Sequence, residues 1–168
     1  TVYAGWGSDL VFGEAGNDVL YGDSNLAASG RESFEWDKAP DPNWHGRIDD
    51  GDRLTGGFSQ DTGSVVVEFS VMANSDGSST YTDNRLATAD IITDGNPIDK
   101  TSGLRSKLDC QGDSSAYKLE FSVAVENVSF RINDIDRDSV VMVQAFDADG
   151  NAIVVDLTGG SDVTLLDT

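Results

Sequence analysis

The 168 residues carry 11 Lys and Arg against 30 Asp and Glu, a formal net charge of −19, with 38% hydrophobic residues. That is enough apolar material for one folded domain, so the acidity does not imply disorder. It opposes binding to phosphate backbones and anionic lipid and favours cations or neutral partners, so neither nucleic acid nor membrane insertion is expected. The acids divide into 24 Asp and 6 Glu, a bias suited to turns and oxygen-ligand metal loops rather than helix surfaces.

The first element in chain order is a repeat. Ala4-Gly5-Trp6-Gly7-Ser8-Asp9-Leu10-Val11-Phe12 is followed at once by Gly13-Glu14-Ala15-Gly16-Asn17-Asp18-Val19-Leu20-Tyr21. Gly7 returns as Gly16, Asp9 as Asp18, Val11 as Leu20 and Phe12 as Tyr21, each nine positions on. A third unit starts at Gly22-Asp23-Ser24-Asn25 and then dissolves. Glycines permit tight turns in which carbonyls converge, and an Asp adds the anionic oxygen that a hard cation prefers. The apolar residue of each following triplet, Val11 or Leu20, forms a short strand and points into a stack. The chain opens on Thr1-Val2-Tyr3, a strand-like phrase in mid-repeat, so an upstream portion is expected.

These units resemble the RTX family, the glycine-rich calcium-binding nonapeptides of type I secreted bacterial proteins. The resemblance implies a parallel β-roll over residues 1–27, with Ca²⁺ held between turns eighteen residues apart. Its ligand set would be drawn from Gly5, Gly7, Asp9, Glu14, Gly16, Asp18, Gly22, Asp23 and Asn25, with Asp9 facing the loop that begins at Gly22. Ala4 and Glu14 depart from the family's glycine pattern, which leaves room for one or two complete sites.

From Glu32 onward the period becomes two, the mark of half-buried strands. Val65, Val67, Phe69 and Val71 share one face; Leu119, Phe121, Val123 and Val125 another; Val128, Phe130 and Ile132 a third. Further strands are predicted within Val140 to Phe146 and over Ile153, Val155 and Leu157, joined by a type I′ hairpin turn at Asp149-Gly150. Asn84 to Ile92 reads as a helical turn or two at most, and Gly95 to Gly112 as a long surface loop. The prediction is an all-β protein, a short parallel β-roll followed over residues 28–168 by an antiparallel β-sandwich of jelly-roll type.

The stretches Val125 to Asp136 and Val143 to Asn151 resemble a domain found beside RTX arrays in large secreted proteins of marine alphaproteobacteria. That resemblance implies the sandwich and a further strand beyond this chain, hence an open sheet edge that another copy or a missing segment would fill.

Other constellations leave alternatives. Asp134, Asp136 and Asp138 alternate between predicted strands and either wrap a Ca²⁺ or form a solvated turn balanced by Arg137. Asp147 to Asn151 imitates the start of a calcium loop but fits a hairpin better, and Asp49-Asp50-Gly51-Asp52 reads as a turn. Cys110 is the one cysteine, so no disulfide forms within the chain; it reads as a semi-buried residue without a role. The single His45, read as an exposed loop residue, removes a His-Glu-x-x-His zinc helix, and no Gly-x-Ser-x-Gly elbow exists. No catalytic set emerges. Trp36, Trp44, Tyr81 and Tyr117 offer rings that either stack on sugars or plug a core. The expected protein is a secreted, extracellular or cell-surface, Ca²⁺-ordered, non-catalytic module acting in adhesion or carbohydrate binding, with a self-assembling subunit or part of a polysaccharide-degrading enzyme as alternatives. Its expected partners are calcium ions, an extracellular glycan or other copies of itself.

Overall fold

The computed structural model describes residues 2–3, 20–21, 31–44, 46–75, 79–136, 139–160 and 162–165. Among them regular structure is almost entirely strand, and the fold is all-β. The strands are β1 (Val2–Tyr3), β2 (Leu20–Tyr21), β3 (Phe58–Asp61), β4 (Val66–Asn74), β5 (Ser79–Thr82), β6 (Gly103–Ser106), β7 (Ser115–Phe121), β8 (Ala145–Phe146) and β9 (Ala152–Ile153). A 3₁₀ turn covers Trp36–Lys38. No helix among the described residues is long and apolar enough to cross a membrane.

β1 and β2 pair in parallel, Val2 beside Leu20 and Tyr3 beside Tyr21, an offset of 20 − 2 = 18 positions, or two nonapeptides. Every other ladder is antiparallel. The principal sheet runs β3-β4-β7, with β5-β6 and β8-β9 as separate pairs.

The alternation in β4 decides which face is inward. Val67 and Phe69 are buried while Val66 and Glu68 are exposed. Phe69, fully enclosed at 0% exposure, meets Trp36 edge-on at 5.0 Å and stacks on Tyr117 at 5.9 Å. Phe58 and Phe34 stack at 5.5 Å beside them. Ala39, Ile48, Leu54 and Tyr81 complete the buried cluster. Gly57 lies where β3 enters the sheet, and a Cβ there would stand 2.5 Å from the Phe69 carbonyl oxygen, so only glycine fits.

Several expected elements differ. Gly95 to Gly112 contains a strand, β6, whose Leu104 faces Tyr81 on β5. Its one apolar residue among polar neighbours carries no period-2 signal, and the pairing comes from a distant partner. β5 also exchanges backbone bonds with residues 51–54, Gly51 N–H to the Tyr81 carbonyl at 2.9 Å and Tyr81 N–H to the Asp52 carbonyl at 2.8 Å. Residues 84–92 form no helix; only a turn, Ile91 N–H to the Thr88 carbonyl, closes there.

The alternating residues 128–132 join no ladder. They are held by side chains instead: Arg131 Nη1 donates to the Ala89 carbonyl, Asn133 Nδ2 to the Ala87 carbonyl, and Ile92 N–H to Ser129 Oγ. Beyond them, among the described residues, only Ala145–Phe146 and Ala152–Ile153 pair. The turn between those strands is not type I′. It is a five-residue loop built by Asp147, whose Oδ1 accepts the N–H groups of Asp149 and Asn151, with Gly150 at φ 83°. Cys110 is exposed rather than semi-buried.

Candidate metal centre

Of the sequence-predicted ligands, Gly5, Gly7, Asp9, Glu14, Gly16, Asp18, Gly22, Asp23, Asn25 and Asp138 lie outside the described residues, as does His45. Asp134 and Asp136 are exposed, and no third described acid joins them. Asp134 sits in the left-handed region at φ 51°. Asp147 accepts hydrogen bonds through both carboxylate oxygens, Oδ2 from Asn151 Nδ2 at 2.9 Å, so it serves the hairpin. Those bonds, the Asn151 side chain first, hold its carboxyl below the usual range.

Three of the four rings considered for stacking are engaged in the core. Trp36 packs against Phe34 and Phe69, Tyr117 against Phe69, and Tyr81 is buried with its hydroxyl donating to the Thr101 carbonyl at 3.0 Å. Of the two alternatives, these contacts favour core packing for all three, with Tyr81 buried and Trp36 and Tyr117 half-buried against the cluster. Trp44 alone stays out, 93% exposed at φ 62°. Its loop is organised by Asp41, whose two oxygens accept the N–H groups of Asn43 at 2.7 Å and Gly46 at 2.9 Å.

Among the described residues, one set of three acidic side chains converges: Glu35, Asp37 and Asp99, each with a carboxylate oxygen within 4.8 Å of the others. Local sequence explains half of the arrangement. Trp36 packs its ring against the core cluster, and Glu35, extended just before the 3₁₀ turn, and Asp37, within it, flank that ring in the chain. The Ser102 hydroxyl accepts the backbone N–H of Trp36 at 2.6 Å and of Asp37 at 3.2 Å, tying the turn to the segment before β6. Glu35 is further held by a two-way amide bond: its N–H donates to Gln60 Oε1 and its carbonyl accepts from Gln60 Nε2, both at 2.8 Å.

Asp99 comes from the loop before β6. Its Oδ1 accepts the Thr101 N–H at 2.8 Å and the Thr101 hydroxyl at 2.7 Å, which hold its carboxyl below the usual range. Burial raises the Tyr81 phenol, and the charges of Asp37, Asp83 and Asp99 raise it further against Arg47. Arg47 itself stands 3.8 Å from Asp37 and is largely solvated, so it screens the cluster weakly. Calcium–oxygen distances of about 2.3–2.6 Å put opposed ligands roughly 5 Å apart, so oxygens at this spacing suit one such ion geometrically.

Sequence reasoning missed this set. Glu35 and Asp37 flank an aromatic at i and i+2 in a run, Phe34 to Asp37, that alternates aromatic with acid; that was the available signal. Asp99 carried none. No family model, curated protein or solved structure matches the chain.

Proposed function

We propose that this protein is a calcium-binding, non-catalytic extracellular module: a β-roll fragment leading into a jelly-roll-like sandwich, ordered by Ca²⁺ outside the cell and acting in adhesion or carbohydrate binding. One observation carries the reading. The nonapeptide period in Gly, Asp and apolar positions coincides with a parallel β1–β2 register of 18 residues, the offset at which successive turns of a β-roll lie side by side. Acidic loops in such a stack repel one another until a cation neutralises them, so ion binding becomes folding free energy. Extracellular calcium modules bind with Kd of about 10⁻⁴–10⁻³ M, which keeps them unliganded in a calcium-poor cytosol. Trp44, exposed beside Asp41 and Asn43, favours a glycan contact over the three packed rings.

Calcium titration of the intact chain, followed by far-UV circular dichroism and thermal unfolding, tests this. At a hundredfold excess over Kd, Ca²⁺ should add about 2.7 kcal/mol. Asp9→Ala or Asp18→Ala should remove most of that gain. A melting curve that Ca²⁺ leaves unmoved overturns the reading, and a glycan array on Trp44→Ala against wild type tests the sugar contact.

A further inference from the structure

We infer that the outer edge of β7 pairs with the same strand of a second copy of this chain, antiparallel, about a twofold axis at Leu119. This goes beyond the calcium reading and needs no bound ion. β7 lies at the end of the β3-β4-β7 order, and no described strand lies beyond it. At the opposite edge, by contrast, the Gln60 side chain of β3 is joined to the backbone of Glu35.

The phase of the ladder shows which backbone groups are free. Ser122 N–H donates to the Val66 carbonyl at 2.9 Å, so the pairs 66/122, 68/120 and 70/118 face one another with bonds. The N–H and carbonyl groups of Tyr117, Leu119 and Phe121 therefore point away from β4. Among the described residues none of the three has another backbone partner. The core-side face also runs out here. Leu119 and Phe121 stand opposite buried Phe69 and Val67 yet remain 39% and 37% exposed.

Charge then selects the register. Three antiparallel self-pairings set two or more of these three outward residues opposite one another. Centring on Lys118 sets Lys against Lys, and centring on Glu120 sets Glu against Glu; both are unfavourable. Centring on Leu119 sets Lys118 of each copy against Glu120 of the other, twice. It also sets Leu119 on Leu119 and Tyr117 on Phe121. The Lys–Glu pairs fall at non-hydrogen-bonded positions, where side chains approach most closely. Within one copy Lys118 already holds Glu120 at 2.7 Å. Glu120 also faces Glu68 across the ladder, so that face has an acid in excess and gains from a second lysine.

Sedimentation equilibrium of the intact chain at about 0.15 M salt, where the Debye length is about 8 Å, tests the pairing. Wild type should show a monomer–dimer equilibrium that strengthens with added salt, as the −19 charge is screened. Lys118→Glu and Glu120→Lys should each weaken it by about tenfold or more. Mixed in equal amounts, the two variants should recover dimer, since one then carries two acids on that face and the other two bases. A folding defect or loss of the ion pair within one copy cannot produce that recovery. Wild type that stays monomeric to about 1 mM, single variants that dimerise like wild type, or a mixture that stays monomeric would each overturn the assignment. Capture of an unrelated strand without self-association would do so too.

Discussion

The Ser102 hydroxyl caps the 3₁₀ turn of Trp36 from 66 residues away, accepting its backbone N–H at 2.6 Å. Through that bond one small side chain fixes both the core position of the Trp36 ring and the placement of Glu35 and Asp37 beside Asp99. Ser102→Ala leaves two part-buried N–H donors without that acceptor. A loss of about 1–2 kcal/mol in the unfolding free energy, read from urea denaturation, is expected, with the near-UV circular dichroism of Trp36 changed.

Asp99→Asn separates charge from geometry. The amide oxygen keeps the two Thr101 bonds, while one of three converging negative charges disappears. In chelator the variant should melt slightly lower than wild type, since the Thr101 bonds that hold the Asp99 carboxyl below its usual range favour its charged form in the native state. In millimolar Ca²⁺ that deficit should widen if the cluster holds an ion. Calorimetry in both buffers reads the difference; an equal offset in both argues against cation binding there.

Glu32 supplies a pH signature. Its carboxylate accepts Ser64 N–H at 2.8 Å, Ser64 Oγ at 2.6 Å and Thr62 Oγ1 at 2.6 Å. These bonds, the Ser64 hydroxyl first, lower it from 4.5 to about 2. The native state thus favours the ionised form. The associated stability is complete above the unfolded value near 4.5 and is lost as pH falls toward 2. Glu32→Gln should flatten the acid limb of the stability curve across that window. Because the side chain is exposed, the cost at pH 7 should stay under about 1 kcal/mol. Urea midpoints at pH 2.5, 4 and 7 would show it.

The outcome for the aromatic and acidic residues shows how far a one-dimensional reading reaches. The alternation around Phe69 identified β4 and its buried face, because side-chain period follows from strand geometry alone. Turn chemistry was also local: Asp49 to Asp52 forms the expected turn, with Gly51 at φ 89° and Asp52 N–H bonded to the Asp49 carbonyl. The same alternation failed at Val128 to Ile132, where a face is defined but no described strand runs alongside to receive it.

What sequence alone determined about this protein is therefore its all-β character, the buried face of β4, the turn at Asp49 to Asp52 and its nonapeptide period, all set by interactions between near neighbours. Tertiary structure decided which rings entered the core, that Gly103 to Ser106 became a strand, that Asp99 met Glu35 and Asp37, and that β7 was left as an edge. Those outcomes depend on contacts between residues scores of positions apart, such as Trp36 with Ser102 and Ser79 with Tyr117. Only the whole chain, burying apolar area together, selects which distant segments meet.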